Sequence, residues 1–394
     1  MAIRSIKNLR NLRGKRVLVR MDFNVPVKNG KVLEDMRLVA SLPTIHYLVS
    51  KKAKVVLLSH LGRPDGKQVS ALSLAPIAKK LESLLKTPVT FVPEVVGSKV
   101  ERAVLAMQPG DILLLENVRF SPNESGSMPV LAKQLAELGD VFVQECFAVA
   151  HRKSATISLL PRLLPQYAGL LFEKEITGLT RVTKAPPSPF VAIIGGAKLE
   201  TKIPVINALL PTVDTILVGG GIVNTYLKAK GYGVGKSLFD EALTTTALAF
   251  GKKRKIVFPV DVVVGKTFGH HGRRVILGKH PHQICKTGEA ILDIGPGTIR
   301  LYASYIKKAK TLLWNGAMGF FEQKPFDVGT RSVARLIASQ TKRKAFGVIG
   351  GGETIQAMEL VHMSEYVDLI STGGGAMLEF LAGKKLPGIE ALKR

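Results

Sequence analysis

Four segments in the second half of the chain repeat one pattern, in which an apolar run ends in glycines and a helical pattern follows. The glycines stand at positions 195–196, 219–221, 350–352 and 373–375. An apolar run of this kind predicts a buried strand, and glycine at its end lets the backbone come close to a ligand. The helix N-terminus that follows favours an anion. One such turn is a weak signal, but four indicate an α/β domain that binds a nucleotide.

The first of these turns also carries two lysines. Residues 190–202 read FVAIIGGAKLETK, so that Lys198 and Lys202 flank the turn at a spacing of four. If a helix begins near Thr201, both ammonium groups reach the same side, where they would hold a transferring phosphate. The alternative is an ordinary strand-to-helix turn with two solvated lysines.

The first half of the chain alternates predicted strands and helices. Strands are predicted at residues 16–20, 54–58, 89–92, 111–115 and 140–144, and helices at 37–49, 74–85 and 128–138. Four of the strands end in loops that carry Asp22, Asn24, His60, Arg63, Arg119, His151 and Arg152, and Arg37 opens a helix. Ligands of open α/β sheets bind at the carboxyl ends of the strands, so these groups should share one edge. Arginine holds phosphate and carboxylate in bidentate fashion, which suits a small polyanion; unrelated surface arginines are the alternative.

Length and composition predict two domains in a reducing compartment. The 394 residues exceed one ordinary core, and the border falls in a predicted helical connector at 164–182 before the proline-rich residues 184–189. Cys146 and Cys285 are too few for a disulfide framework, and neither a membrane span nor a signal peptide is indicated, so we expect the cytoplasm.

The net charge of +26 raises nucleic acid, a membrane surface and the steering of anionic substrates as explanations. Basic residues are scattered along the chain and aromatic residues are only 6%, so no basic stripe with interleaved aromatics is present. Steering explains part of the charge excess.

Three further patterns resemble functional motifs but have simpler structural interpretations. Residues 231–237 resemble a phosphate-binding P-loop, but the spacing is one residue short and the segment follows a helix. His270, His271, His280, His282 and Cys285 match no standard zinc spacing, which favours a solvated loop. Cys146 precedes His151 by five residues, yet a cysteine at the end of a buried strand is more often a core residue than a nucleophile.

Nine motifs together make the whole chain similar to phosphoglycerate kinases. They are RMDFNVP at 20–26, SHLGRP at 59–64, LENVRF at 115–120, AHR at 150–152, GGAK at 195–198, PVDVVV at 259–264, DIGPGTI at 293–299, WNGAMGFFE at 314–322 and STGGGAMLE at 371–379. The resemblance implies an α/β fold of two Rossmann-like parallel-sheet domains, each a three-layer αβα sandwich, joined by a long helix and able to bend at a hinge. It places a substrate domain at 1–170, with 380–394 folding back onto it, and a nucleotide domain at 171–379.

The resemblance also implies a reaction and its residues. The activity is reversible, in-line phosphoryl transfer from 1,3-bisphosphoglycerate to ADP with domain closure, giving 3-phosphoglycerate and ATP in glycolysis or gluconeogenesis, by a monomer that uses Mg²⁺. Catalytic roles are implied for Arg37, Lys198 and Lys202. Substrate contacts are implied for Asp22, Asn24, Arg37, His60, Arg63, Arg119 and Arg152. Nucleotide contacts are implied for Gly195, Ala197, Lys198, Lys202, Gly219, Gly220, Asn315, Gly319, Glu322, Gly350, Gly351, Gly352, Glu353 and Thr354. Gly373, Gly374 and Gly375 would meet the transition-state phosphate, and Glu353 would hold the metal.

Several positions depart from the family pattern. Glu353 replaces an aspartate, Glu145-Cys146 an Asp-Ala pair, Ala148 a glycine and Ala317 a proline, while Pro204 is an unexpected residue in a first helical turn. One added methylene moves the Glu353 carboxylate by about 1 Å, which bears on rate and metal preference. The competing hypothesis is a catalytically weak nucleotide-binding homologue whose basic surface binds nucleic acid or an anionic surface; nucleic acid is not the expected partner.

Overall fold

The computed structural model describes residues 3–126 and 128–393, which form two compact units. One unit extends to Ile176 and resumes at Lys385, and the other spans Thr177–Lys384. Within the described part of the chain, every helix is too short or too polar to cross a bilayer.

The first unit is built on a parallel sheet of six strands among the described residues, in the order β5-β6-β4-β1-β7-β8. Its strands are β1 (Arg16–Arg20), β4 (Lys54–Leu58), β5 (Thr90–Val92), β6 (Ile112–Leu115), β7 (Val141–Gln144) and β8 (Gln166–Ala168), and a small hairpin comprises β2 (Val27–Lys28) and β3 (Lys31–Val32). Its helices are α1 (Met36–Ser50), α2 (Ala75–Leu85), α3 (Ser98–Ala106), α4 (Pro122–Ser125) and α5 (Pro129–Glu137), followed by α6 (Leu170–Thr183), which continues into the second unit.

The apolar runs are continuous because helices cover both faces of this sheet. In the central strand β1, Val17 and Val19 enter one hydrophobic core and Leu18 enters the other. The strand predictions made from apolar runs therefore agree with the structure to within a residue or two.

The second unit has a parallel sheet in the order β11-β10-β9-β15-β16-β17 and a three-stranded antiparallel sheet in the order β13-β12-β14. The strands are β9 (Phe190–Ile194), β10 (Thr215–Val218), β11 (Ile256–Val257), β12 (Asp261–Gly265), β13 (Gly272–Ile276), β14 (Ala290–Ile294), β15 (Thr311–Asn315), β16 (Phe346–Gly350) and β17 (Leu369–Ser371). The helices are α7 (Ile203–Leu209), α8 (Gly221–Ala229), α9 (Thr244–Gly251), α10 (Pro296–Ile306), α11 (Val328–Thr341), α12 (Gly352–Glu359) and α13 (Gly375–Leu381). Each glycine turn of the repeated pattern follows a strand of the parallel sheet.

Residues beyond Lys385 return to the first unit, where α14 (Pro387–Glu390) lies. The amide of Gly388 donates a hydrogen bond of 2.8 Å to the carbonyl oxygen of Ala150. A Cβ at position 388 would lie 3.0 Å from the Cα of Ala150, so glycine permits this close approach without displacing its neighbour.

Two local predictions differ from the structure in their bounds. The predicted helical connector at 164–182 contains strand β8 at its start, and helix α6 begins only at Leu170. After the Gly195-Gly196 turn the helix begins at Ile203 instead of near Thr201, so Lys198 and Lys202 are not successive members of one helical face. Pro204 lies in the first turn of α7, where its missing N–H costs no hydrogen bond.

Candidate active site

The loops after β1, β4, β6 and β7 enclose a cleft of about 670 Å³ in the first unit. Because all four strands are parallel neighbours, their carboxyl ends meet at this edge. The lining includes five of the predicted substrate residues, Asn24, His60, Arg63, Arg119 and Arg152, together with His151. It also includes Arg20, Asp65, Glu124, Lys153 and Ser154, which the sequence analysis did not single out.

Hydrogen bonds between the loops fix the walls of this cleft. The guanidinium of Arg119 donates to the carbonyl oxygen of Gly62 at 2.7 Å. The amide of Gly62 donates to the Oδ1 atom of Asn24 at 2.9 Å, which joins the loops after β1 and β4. Burial, followed by the nearby charge of Arg20, lowers the pKa of Arg119. Several cations around one cleft favour a ligand with more than one negative charge.

Asp22 and Arg37, the remaining predicted substrate residues, are not among the side chains that line the cleft. They form an ion pair with 2.7 Å between Arg37 Nη1 and Asp22 Oδ2. Burial raises the pKa of Asp22, and the positive charge of Arg37 opposes that shift. Arg37 is thereby held at the start of α1, one third exposed, with the rest of its donors available.

A buried Asp, His and Cys group lies beside the cleft. Ligand atoms of Asp22, His60 and Cys146 all lie within 4.8 Å of one another. Burial raises the pKa of Cys146 to about 12, so the group is a thiol and lacks the thiolate that binds metals or attacks substrates. Arg20 and Arg37 place positive charge next to this group, which opposes a dication. Cys146 therefore behaves as the core residue that its position indicated.

In the second unit, the glycine turns interlock through their backbones. The amide of Gly196 donates to the carbonyl oxygen of Ala317 at 2.7 Å, and that of Gly221 donates to Gly196 at 3.0 Å. A Cβ on Gly220 would lie 2.6 Å from the oxygen of Gly196, so a side chain there would separate the turns. The turns form a backbone platform at the carboxyl edge of the second sheet.

Two cavities open beside this platform; we call the one that both lysines line the polar cavity and the one that Val223, Leu238 and Phe320 line the apolar cavity, although most of the lining surface is apolar in both. The polar cavity, of about 330 Å³, is lined by Ala197, Lys198, Lys202, Asn315, Gly351, Gly352, Glu353, Thr354 and Gly374 among the predicted residues. The apolar cavity, of about 270 Å³, is lined by Ala197, Gly220, Gly319, Glu322 and Glu353 among them. Its further walls, which sequence analysis missed, include Val223, Leu238, Phe320 and residues 290–294 of β14. The apolar cavity suits a flat base, and the polar cavity suits phosphates.

Lys202 is the most buried ammonium group of this site. It donates to the Oδ1 atom of Asn315, and it is 9% exposed. Burial lowers the pKa of Lys202 to about 8, although the neighbouring carboxylate of Glu353 acts in the opposite direction. An anionic ligand at this place would stabilise the charged form of the partly desolvated lysine.

Glu353 borders both cavities. Its carboxylate lies near Ala317, which is another position that departs from the family pattern. Its Oε2 atom lies 3.5 Å from the amide nitrogen of Ala317, where the family usually has a proline. A proline has no N–H to offer, so the alanine supplies a donor to the longer carboxylate. The two departures therefore meet in one long contact between the carboxylate and the amide.

Five predicted glycines lie outside the linings of both cavities among the described residues: Gly195, Gly219, Gly350, Gly373 and Gly375. Gly195, Gly219 and Gly350 let neighbouring elements approach. For Gly195, a Cβ would lie 2.1 Å from the oxygen of Ala317. The sequence signal of glycine therefore marks close backbone contact here more than ligand contact.

Comparison with known proteins agrees with these features. A family model described as phosphoglycerate kinase matches residues 6–384. The chain is 46% identical to the phosphoglycerate kinase of Moorella thermoacetica, with 100% of this chain and 99% of that protein covered, and 45% identical to that of Pelotomaculum thermopropionicum, with the same coverage. The solved structure of phosphoglycerate kinase from Coxiella burnetii covers 99% of both chains with a TM-score of 0.87 at 39% identity.

Two α/β units, one with a cationic cleft and one with glycine turns and lysines beside two cavities, define a kinase of the two-domain α/β class. The chain belongs to the phosphoglycerate kinase family. Its activity is that of the family, an ATP-dependent phosphotransferase reaction of glycolysis, which confirms the function and fold that the resemblance implied. The relatives do not favour the competing hypothesis of a catalytically weak homologue.

Proposed function

We propose that the cleft of the first unit binds 3-phosphoglycerate or 1,3-bisphosphoglycerate and that the cavities of the second unit bind ATP or ADP. One observation carries this division: His60, Arg63, Arg119 and Arg152 converge on a single cleft, whereas the apolar cavity lies in the other unit. Guanidinium groups suit the phosphate and carboxylate of a small acid. The apolar walls suit a base.

Within this proposal, Lys198 and Lys202 hold the phosphate groups of the nucleotide. Both line the polar cavity, next to the N-terminus of α12 at Gly352–Glu359. Arg37 and Lys198 would offset the negative charge that spreads over the transferred group, which is the main catalytic requirement of an in-line phosphoryl transfer. Gly374 lines the same cavity, and it would leave backbone open to that group together with its neighbours Gly373 and Gly375.

Glu353 is the group that would hold Mg²⁺. Its carboxylate borders both cavities, and hard oxygen donors of this kind are what Mg²⁺ prefers. The metal would supply positive charge to the phosphates of the nucleotide.

We also infer a cytoplasmic monomer. Both cysteines are free and buried, which suits a reducing compartment.

A coupled assay tests the catalytic assignment. Purified protein is given ATP, Mg²⁺ and 3-phosphoglycerate, and the acyl phosphate is consumed by a dehydrogenase. We expect turnover that Lys198→Ala lowers at least a hundredfold, roughly the loss of a charge-stabilising contact. Lys307→Ala, an exposed lysine at the end of α10, is the matched control. Equal rates in the two variants would refute the role of Lys198.

The acyl phosphate is unstable in water, so we further propose closure of the units around both ligands. Small-angle X-ray scattering checks this: the radius of gyration should fall when both ligands are present and change less with either one alone. No change with both ligands would contradict closure.

A further inference from the structure

Arg20 is a buried arginine that the sequence analysis did not select. It is 1% exposed, and its three donor nitrogens are each directed to a different partner. Nε donates to Thr156 Oγ1 at 2.8 Å, Nη1 to the carbonyl oxygen of Met21, and Nη2 lies 3.3 Å from Nδ1 of His60. Such a side chain has one geometry, because every change of rotamer would break several of these bonds.

A buried carboxylate compensates the charge of Arg20 and orients the network. Glu124 is 2% exposed, and its Oε1 atom lies 4.0 Å from Nη2 of Arg20. The hydroxyl of Thr156 donates to Glu124 Oε1 at 2.6 Å. The single hydroxyl proton of Thr156 is thereby used, so its oxygen is left to accept from Arg20. The direction of every bond in the series Arg20, Thr156, Glu124 is fixed.

The same reasoning determines where His60 carries its proton. A guanidinium has only donors, so the Nδ1 atom of His60 must be the acceptor of this contact and cannot carry a proton. Burial, followed by the charges of Arg20, Arg119 and Arg37, lowers the pKa of His60 well below its usual value. A neutral ring without a proton on Nδ1 carries it on Nε2. A carboxylate oxygen of Asp22 and the sulfur of Cys146 lie within 4.8 Å of a ring nitrogen of His60.

Nε2 is the ring nitrogen left for a ligand, although the His60 side chain as a whole is only 1% exposed. Among the described residues no protein group forms a hydrogen bond with Nε2, while the ring lines the cationic cleft. An Nε2–H group would donate to an anionic oxygen. The opposite tautomer would present a lone pair to that oxygen and would repel it.

We propose that Arg20 is a positioning residue that fixes His60 as the Nε2–H tautomer, so that His60 donates a hydrogen bond to the anionic substrate. The substrate part of this inference rests on the proposed function of the cleft. The tautomer part does not, because it concerns the protein without a ligand.

The first test is ¹⁵N NMR of ligand-free protein labelled at histidine, with the His60 signals assigned by their loss in His60→Gln. We expect Nδ1 to resonate as an unprotonated nitrogen and Nε2 as a protonated one. Nδ1 protonated in the wild type would overturn the proposal. If the tautomer is as expected but 3-phosphoglycerate causes no shift of the His60 signals, the proposed function of the cleft fails instead.

The second test removes Arg20 without leaving a buried charge. Arg20→Met alone would strand Glu124, so the double variant Arg20→Met, Glu124→Gln is used. In it both nitrogen signals of His60 should move towards intermediate values, because both tautomers become populated, and KM for 3-phosphoglycerate should rise while KM for ATP changes little. Unchanged His60 signals would show that Arg20 does not set the tautomer.

A pair of variants at His60 keeps the idea testable if the double variant does not fold. The amide nitrogen of glutamine falls near the place of Nε2, and that of asparagine does not reach it. His60→Asn should raise KM for 3-phosphoglycerate about tenfold to a hundredfold, as for a lost hydrogen bond to a charged group. His60→Gln should raise it less. Equal increases would refute the donor role of Nε2.

Discussion

Glu145 is a fully buried carboxyl group that links three elements of the first unit. Its Oε1 atom accepts from the hydroxyl of Thr44 in α1 and from the amide of Leu171, and Oε2 accepts from the amide of Phe172 at 3.1 Å. The family usually has the shorter aspartate here. The longer side chain fits because Gly169 has no Cβ, which would lie 2.0 Å from Oε2.

This group should make the free energy of unfolding depend on pH. Burial raises the pKa of Glu145 from 4.5 to about 7, so the folded state holds a proton that the unfolded state has released between these values. Stability from this group is therefore fully present below pH 4.5 and is lost as pH rises through 7. A shift of this size corresponds to about 3 kcal/mol.

The comparison is between wild type and Glu145→Gln in urea unfolding at several pH values from 4.5 to 7.5. Over this range the unfolding free energy of the variant should fall by about 3 kcal/mol less than that of the wild type. Glu137→Gln, at an exposed position in α5, is the control and should keep the wild-type slope. Parallel curves for wild type and Glu145→Gln would show that Glu145 does not titrate in this range.

Lys202 leads to a second prediction, concerning proton uptake. With its pKa lowered to about 8 by burial, the amine is about half protonated at pH 8. A bound polyphosphate favours the ammonium form, so nucleotide binding at pH 8 should take up about half a proton. Titration calorimetry in two buffers of different ionisation enthalpy measures this uptake. The variant Lys202→Met should lack it, and equal uptake in both proteins would contradict the assignment.

At the scale of elements, the glycine turns act as one interlocked platform. Gly316 has a φ of +93°, and a Cβ there would lie 2.3 Å from the oxygen of Gly195. Gly352, the first residue of α12, has open space where its Cβ would be. Both positions hold glycine, but only Gly316 has no room for a side chain.

Gly316→Ala should lower the free energy of unfolding by about 3 kcal/mol or more, since the strained backbone and the collision act together. Gly352→Ala is the matched variant and should change it by less than about 1 kcal/mol. Chemical denaturation of both variants checks this. A similar loss of stability in both would mean that the platform tolerates displacement of the turn at Gly316.

The sequence predicted the parallel strands well because each is an apolar run bounded by polar loops. Strand β8 was hidden, since Gln166–Ala168 is only three residues long and adjoins a helix. The wall formed by β14 was missed as well, because its contribution to the cavity depends on tertiary packing and not on a local pattern. Arg20 was missed for a similar reason: within β1 it looks like the end of a strand, and only Thr156 and Glu124, over a hundred residues away, give it a function.

At the scale of the whole molecule, the charge of +26 should act on ligand capture. A strongly positive protein attracts anionic substrates, and salt screens that attraction. We therefore expect KM for 3-phosphoglycerate to rise several-fold between about 50 and 200 mM ionic strength, while kcat changes less. Two salts with different anions, compared at equal ionic strength, separate screening from competition for the cleft. A KM that is independent of salt would show that the net charge plays no part in capture.

The return of residues 385–393 to the first unit has a consequence for biosynthesis. A ribosome makes the chain from its N-terminus, so the first unit emerges without α14 and without the hydrogen bond from Gly388 to Ala150. That unit must wait, incomplete, until the entire second unit has been translated. The half of the molecule that is made first is therefore the half that is finished last.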